Sequence, residues 1–136
     1  MIKSINHDPT TLSQKAVPAT PQDRQTVIDL FDTLKANSQV CVGMAANMIG
    51  VNKRIIVVSM GMLSVALINP KIVSKREPYS TREGCLSLSD ERQTTRYKQI
   101  TVRYQDQNFE SHEQPFSDWI AQIIQHEVDH CEGILI

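Results

Sequence analysis

The sequence has little of what would take it outside the ordinary globular class. Its three cysteines, Cys41, Cys85 and Cys131, are odd in number and widely spaced, so they form no disulfide framework. In a reducing compartment each is a buried small hydrophobe, a metal ligand or a reactive thiol. No apolar run approaches the roughly 20 residues of a membrane helix, and Met1 to Asp8 lacks the apolar core of a signal sequence. Charge of one sign is also missing: 14 Lys and Arg against 15 Asp and Glu leave −1. That excludes a strongly phosphate-neutralising surface or a polybasic membrane patch. Repeats, low-complexity tracts and linkers are absent. What is there is a chain of 136 residues, 40% hydrophobic and 21% charged, which fits one domain over residues 1–136. These features predict a soluble, cytoplasmic protein that binds neither membrane nor nucleic acid of its own.

Local patterns divide the chain. Thr20 can cap a helix, Pro21 suits its first position and Asp23 stands three residues after the cap. Val27, Ile28, Phe31 and Leu34 recur at helical spacing, which predicts a helix over Pro21–Ala36 ended by Asn37. Small residues at Gly43, Ala45 and Ala46 would let another backbone or a ligand approach closely. Arg54–Ser59 and Ser64–Ile68 read as strands, the second ended by Asn69-Pro70, with Lys71–Ser74 a short third. A polar stretch follows, carrying Glu83-Gly84-Cys85-Leu86-Ser87 on a loop. Tyr97–Tyr104 alternates, with Ile100, Val102 and Tyr104 on one face, as a half-buried antiparallel strand does. Asp106-Gln107-Asn108 signals a turn. From Ser117 the helical period returns through Ile120, Ile123, Ile124, Val128 and Cys131, and Gly133 closes it. Strands flanked by two helices without βαβ alternation predict an α+β fold.

The last helix contains His126-Glu127-Val128-Asp129-His130. At about 100° per residue, His126 and His130 lie roughly 40° apart on one face and one turn apart along the axis. Two imidazoles so placed can grip one metal ion, with Glu127 able to reach a water on it without ligating. Alone, such a match could equally be a solvated helix face. A catalytic metal also needs a third protein ligand and an open position. His7, His112, Cys41, Cys85, Cys131 and the carboxylates are the candidates. Cys131 falls on the core face and reads as a packed thiol, and His7 and His112 lie in polar contexts and read as surface residues. Cys85 follows Gly84, which permits close backbone approach. With the two histidines it makes a Cys-His-His set that suits Fe²⁺, Zn²⁺, Co²⁺ or Ni²⁺ rather than Mg²⁺ or Ca²⁺.

At this point the sequence resembles the peptide deformylases, over nearly its whole length. The family motif Gly-x-Gly-apolar-Ala-Ala-x-Gln corresponds to Cys41-Val42-Gly43-Met44-Ala45-Ala46-Asn47-Met48. Glu-Gly-Cys-Leu-Ser is complete at Glu83 to Ser87, and His-Glu-x-Asp-His is complete at His126 to His130. Asn69-Pro70 and the region of Arg96 also match. The resemblance implies antiparallel or mixed sheets around a central helix carrying the histidines. It implies removal of the formyl group from the N-terminal formyl-methionine of new polypeptides. One divalent metal, Fe²⁺ natively, would be held by Cys85, His126 and His130, with water in the fourth position. Glu127 would take a proton from that water and pass it to the leaving amine. The Leu86 N–H and the side chain at position 48 would hold the formyl oxygen, and Gly43, Met44, Ala45, Glu83 and Gly84 would contact substrate. The formyl-methionyl peptide is the expected partner, with transient ribosome contact.

Two positions depart from the family pattern. Its first Gly is Cys41, and its Gln is Met48, which cannot donate a hydrogen bond. Losing one oxyanion donor costs about 10²–10³ in rate. Asn47 could stand in only if the strand slipped by one residue. The chain also stops six residues after His130, which reads as a short form or as one lacking a tail. Two other readings compete: a non-catalytic or weakly active deformylase-like protein that binds peptide N-termini, and a zinc endopeptidase sharing the His-Glu-x-x-His helix. A cysteine as third ligand weighs against the peptidase.

Overall fold

Thr20 and Asp23 form the expected capping box. The Asp23 carboxylate accepts from the Thr20 N–H at 2.8 Å, around a 3₁₀ turn over Pro21–Asp23. A computed structural model of the chain describes residues 1–85 and 87–135. In it a short helix α1 (Pro9–Leu12) precedes that turn, which leads directly into α2 (Arg24–Ala36), so the helix stands where the sequence predicts it. Its buried stripe is rotated, however. Val27, Leu30 and Leu34 face the core, and Ile28 is exposed.

Five strands form one antiparallel meander in chain order. They are β1 (Gly43–Ala45), β2 (Ile55–Met60), β3 (Leu63–Cys85), β4 (Leu88–Gln105) and β5 (Ser111–Ser117). The only parallel pairing among the described residues is an isolated bridge between Val17 and Lys53. The α+β class holds, with one antiparallel sheet rather than mixed sheets.

The middle of the chain corrects the sequence reading. Asn69-Pro70 does not end a strand, and Lys71–Ser74 is not a separate one; both lie inside β3, which runs for 23 residues. Register shifts between Ile68 and Lys71 and between Ile72 and Ser74 absorb the proline, which has no N–H for the ladder. Asn69 takes a left-handed conformation, φ +52°. Its amide accepts from the Ala19 N–H at 2.7 Å and donates to the Ala19 carbonyl at 3.1 Å, tying the entry to α2 onto the sheet. The polar stretch read as a loop is a long β3–β4 hairpin closing at Cys85 opposite Leu88. Tyr97–Tyr104 is part of β4, with Ile100, Val102 and Tyr104 buried as expected.

Asp106 makes the predicted turn by accepting from the backbone N–H groups of Asn108 and Glu110. It leads into β5, an edge strand whose residues are exposed apart from half-buried Phe116, and which contains Pro115. The last helix, α3 (Asp118–Cys131), buries Ala121, Ile124 and Cys131 against the sheet, where Ile55 to Val58, Leu67 and Ile68 are almost fully buried. Each such side chain contributes about 1.5–3 kcal/mol. Gly133 ends the helix at φ +73°. No helix among the described residues is long and apolar enough to cross a membrane.

Candidate metal centre

The apolar face of α3 anchors it on the sheet and leaves His126 and His130 beside the tip of the β3–β4 hairpin, where Cys85 sits. One ligand atom from each of the three residues lies within 4.8 Å of the others. Cys85 Sγ is 3.1 Å from His130 Nε2, and the two imidazole centroids are 5.3 Å apart. His126 Nδ1 is 2.8 Å from the Glu83 carboxylate, which fixes the ring and leaves Nε2 free to face the centre. A thiolate and two such nitrogens fit a first-row transition metal. Cys131 is buried in the core, while His7 and His112 are exposed, so the three set aside in the sequence stay outside the cluster.

Glu83, expected to contact substrate, has other partners. Besides His126 it accepts from Nε and Nη2 along one edge of the Arg96 guanidinium, at 2.7–3.1 Å, and from Gln122 at 2.9 Å. Arg96 in turn donates to Asp129 at 2.7 Å. Burial would raise the Glu83 pKa, but the hydrogen bonds from His126 and Arg96 hold it down to about 2. The buried carboxylate therefore stays charged and orients the His126 imidazole. Arg96 and Gln122 carry no spacing signal that singles them out. Only the family likeness around Arg96 pointed this way.

Glu127 is the opposite case. Its carboxyl is buried, and Oε1 has no hydrogen-bond partner among the described residues. Burial pushes its pKa up, with His126 pulling the other way and Glu83 adding to the rise, to about 7. A carboxylate poised there can both take and return a proton near neutral pH. Gly43 explains the small residue in the first motif. A Cβ on it would meet Ile123 Cγ2 at 2.6 Å and Glu127 Oε2 at 3.0 Å, so β1 can approach α3 only as glycine. Gly84 has no such demand, since a Cβ there would find only Glu91 Cγ at 3.6 Å, contrary to the close approach expected of it.

These residues line a cleft of about 660 Å³, walled by Val40, Cys41, Val42, Gly43, Met48, Trp119 and Ile123, with Cys85, His126 and Glu127 at its base. Gly43, Glu83 and Gly84 reach it. Met44 and Ala45, expected at substrate, are packed behind the wall and do not line it. Met48 does line it, buried, and its Sδ accepts from the Ala45 N–H at 3.4 Å. Asn47 cannot take its place: its amide is turned away and donates to the His130 carbonyl at 2.9 Å. The Cys41 thiol donates to the Gly43 carbonyl, 2.8 Å away. Leu86, expected to supply an oxyanion N–H, lies outside the described residues.

Residues 2–136 match the family model described as polypeptide deformylase. The chain is 54% identical to a peptide deformylase of Clostridium beijerinckii, over the full length of both. It is 35% identical to one of Chlorobaculum parvum, covering 99% of this chain and 78% of that one. Among solved structures, a class I type b peptide deformylase from Acinetobacter baumannii with Met-Ala-Ser bound superposes with a TM-score of 0.89 at 28% identity, covering 99% and 97% of the two chains. The Thermotoga maritima enzyme gives 0.88 at 32% identity, covering 99% and 95%. Nothing in these likenesses favours a non-catalytic protein. With Cys85, His126 and His130 converging beside a buried, poised glutamate, and with these likenesses over its whole length, the chain belongs to the polypeptide deformylase family.

Proposed function

We propose that this cleft removes the formyl group from N-terminal formyl-methionine, with Cys85, His126 and His130 as metal ligands and Glu127 as the general base and acid. The observation that carries this reading is Glu127 Oε1, buried without a partner among the described residues, beside Cys85, His126 and His130. A bound divalent transition metal would acidify a coordinated water and polarise the formyl carbonyl. Glu127 would accept a proton at its free oxygen from the water whose oxygen adds to the formyl carbon, and would deliver it to the amine nitrogen as the C–N bond breaks. Glu83 holds the His126 ring in one orientation, and Arg96 holds Glu83. Met48 offers the formyl oxygen no donor, because a thioether has none. Val40, Val42, Trp119 and Ile123 present an apolar wall suited to a methionine side chain. The Met-Ala-Ser peptide bound to the Acinetobacter relative supports the same substrate class.

Fe²⁺ is the native ion in this reading, with Zn²⁺, Co²⁺ or Ni²⁺ able to occupy the same donors, and transient contact with the ribosome would bring the substrate to the cleft. The test is formate release from formyl-Met-Ala-Ser under anaerobic conditions, with metal content measured on the same sample. Turnover with about one transition metal per chain is expected. Internal cleavage of an unformylated peptide would point to an endopeptidase instead, and metal binding without formate release would point to a peptide-binding protein.

A further inference from the structure

β5 covers the outer edge of β4 only from Gln99 to Gln105, the partner of Gln99 being Ser117, where the chain turns into α3. Tyr97 lies just past that point. On its inner side it pairs with Pro78, which has no N–H to give. Its own N–H and carbonyl face α3, and one side chain takes both. Gln125 Oε1 accepts from the Tyr97 N–H at 2.9 Å, and Gln125 Nε2 donates to the Tyr97 carbonyl at 2.8 Å. Nε2 also donates to the Ala121 carbonyl one turn back at 2.9 Å, so the amide can sit only one way round. Gln125 is buried, with 4% of its surface exposed. It acts as one rung of a strand that β5 no longer supplies.

The rung joins the two halves of the metal centre. Gln125 precedes His126 on α3, and Tyr97 follows Arg96 on β4. Arg96 clasps Glu83, two residues before Cys85 on β3. We infer that Gln125 is a positioning residue: by seating α3 on the edge of β4 it sets the separation between the histidines and Cys85. This rests on the proposed metal centre. Groups that orient metal ligands from behind typically change metal affinity by about 10- to 100-fold when removed.

The test compares the parent with Gln125→Met, which keeps the length and loses both hydrogen bonds to Tyr97 and the one to Ala121, and with Ile124→Val, a core change on the same helix that leaves the rung intact. The readouts are Co²⁺ affinity, the thiolate-to-cobalt absorption band and hydrogen exchange of the Tyr97 amide. Gln125→Met is expected to bind Co²⁺ about 10- to 100-fold more weakly, with a shifted band and faster Tyr97 exchange. Ile124→Val should lower the melting temperature while leaving affinity and band unchanged. Should Gln125→Met fail to fold, Gln125→Glu keeps the acceptor for the Tyr97 N–H and loses the donor, and it should show the same direction of change. In the parent itself, Co²⁺ loading should slow exchange at Tyr97, since coupling between the two is reciprocal. Equal Co²⁺ affinity and spectrum in the Gln125 variants, or Tyr97 exchange indifferent to Co²⁺ in the parent, would overturn the inference. A parent that takes up no Co²⁺ would overturn the metal centre itself, and is thereby distinguished.

Discussion

Substituting Gly43→Ala places one methyl group where the structure has least room for it. The new Cβ would lie 2.6 Å from Ile123 Cγ2, 3.0 Å from Glu127 Oε2 and 3.2 Å from Glu127 Cγ. Carbon atoms pack at about 3.5–4.0 Å, so roughly 1 Å of separation must be found between β1 and α3. β1 is held by its pairing of Gly43 with Val58, and all three obstructing atoms belong to α3. The displacement therefore falls on the stretch of helix that carries Glu127. A shift of about 1 Å in a reacting group costs on the order of 10²-fold in rate, and overpacking of this kind costs about 1–3 kcal/mol of stability. The assay is steady-state formate release beside a thermal melt. kcat should fall by about two orders of magnitude with a smaller change in KM, and the melting temperature should drop by several degrees. Adding Ile123→Ala removes the Cγ2 obstruction, so the pair should recover stability non-additively while activity stays low, because the Glu127 contact remains. A Gly43→Ala protein with kcat/KM within about threefold of the parent would refute the reasoning that ties this glycine to Glu127.

Glu127→Gln should keep its metal and lose about 10²–10⁴ in kcat, because an amide cannot accept the proton; metal analysis beside formate release checks both halves. Cys85→Ala, His126→Ala and His130→Ala should each lose metal and activity together, and full occupancy in Cys85→Ala would remove that ligand from the assignment. Met48→Gln, best made with Cys41→Gly to clear space, should raise kcat/KM by up to about 10²-fold by restoring a donor to the formyl oxygen, with the gain mainly in kcat. No gain in the double variant would mean that Met48 does not stand in a lost donor's place. Burial, helped by the charge of Glu127, pushes the Cys41 thiol up to about 11. In metal-loaded protein it should resist iodoacetamide at pH 7, with labelling of Cys41 followed by mass spectrometry rising about tenfold per pH unit towards 11.

Both long helices were legible because each carries a complete local signal. Thr20, Pro21 and Asp23 mark the start of one, and the other shows its buried period and its histidine pair together. The strand Tyr97–Tyr104 alternates cleanly because one face is buried and the other wet. The rest of the sheet was hidden for the opposite reason. Most of the described residues of the hairpin from Val73 to Gln93 are exposed, so no period marks it, and Asn69-Pro70 looks like an ending where a bulge lets the strand pass. β5 is polar and leaves no trace beyond the turn at Asp106. At the site, ligand spacing revealed the two histidines, and a motif revealed Cys85. The partners of Glu83 could not be read from the sequence because His126, Arg96 and Gln122 are 43, 13 and 39 residues away and meet it only in the fold. Gln125 was invisible for a similar reason: it serves the backbone of Tyr97, and a backbone contact leaves no mark in the partner's side chain.

The outer strand also bears on how the molecule behaves in a crowded solution. A sheet with strands of 23 and 18 residues is a ready template for further chains. One edge it offers is β5, which is only seven residues long, contains Pro115 and carries Glu113 on the exposed rim, paired with Arg103 at 2.9 Å. A second copy laid along it would meet a short strand with polar and charged side chains rather than a long apolar edge. Filament growth is thus discouraged at the edge where the meander would otherwise continue into its neighbours.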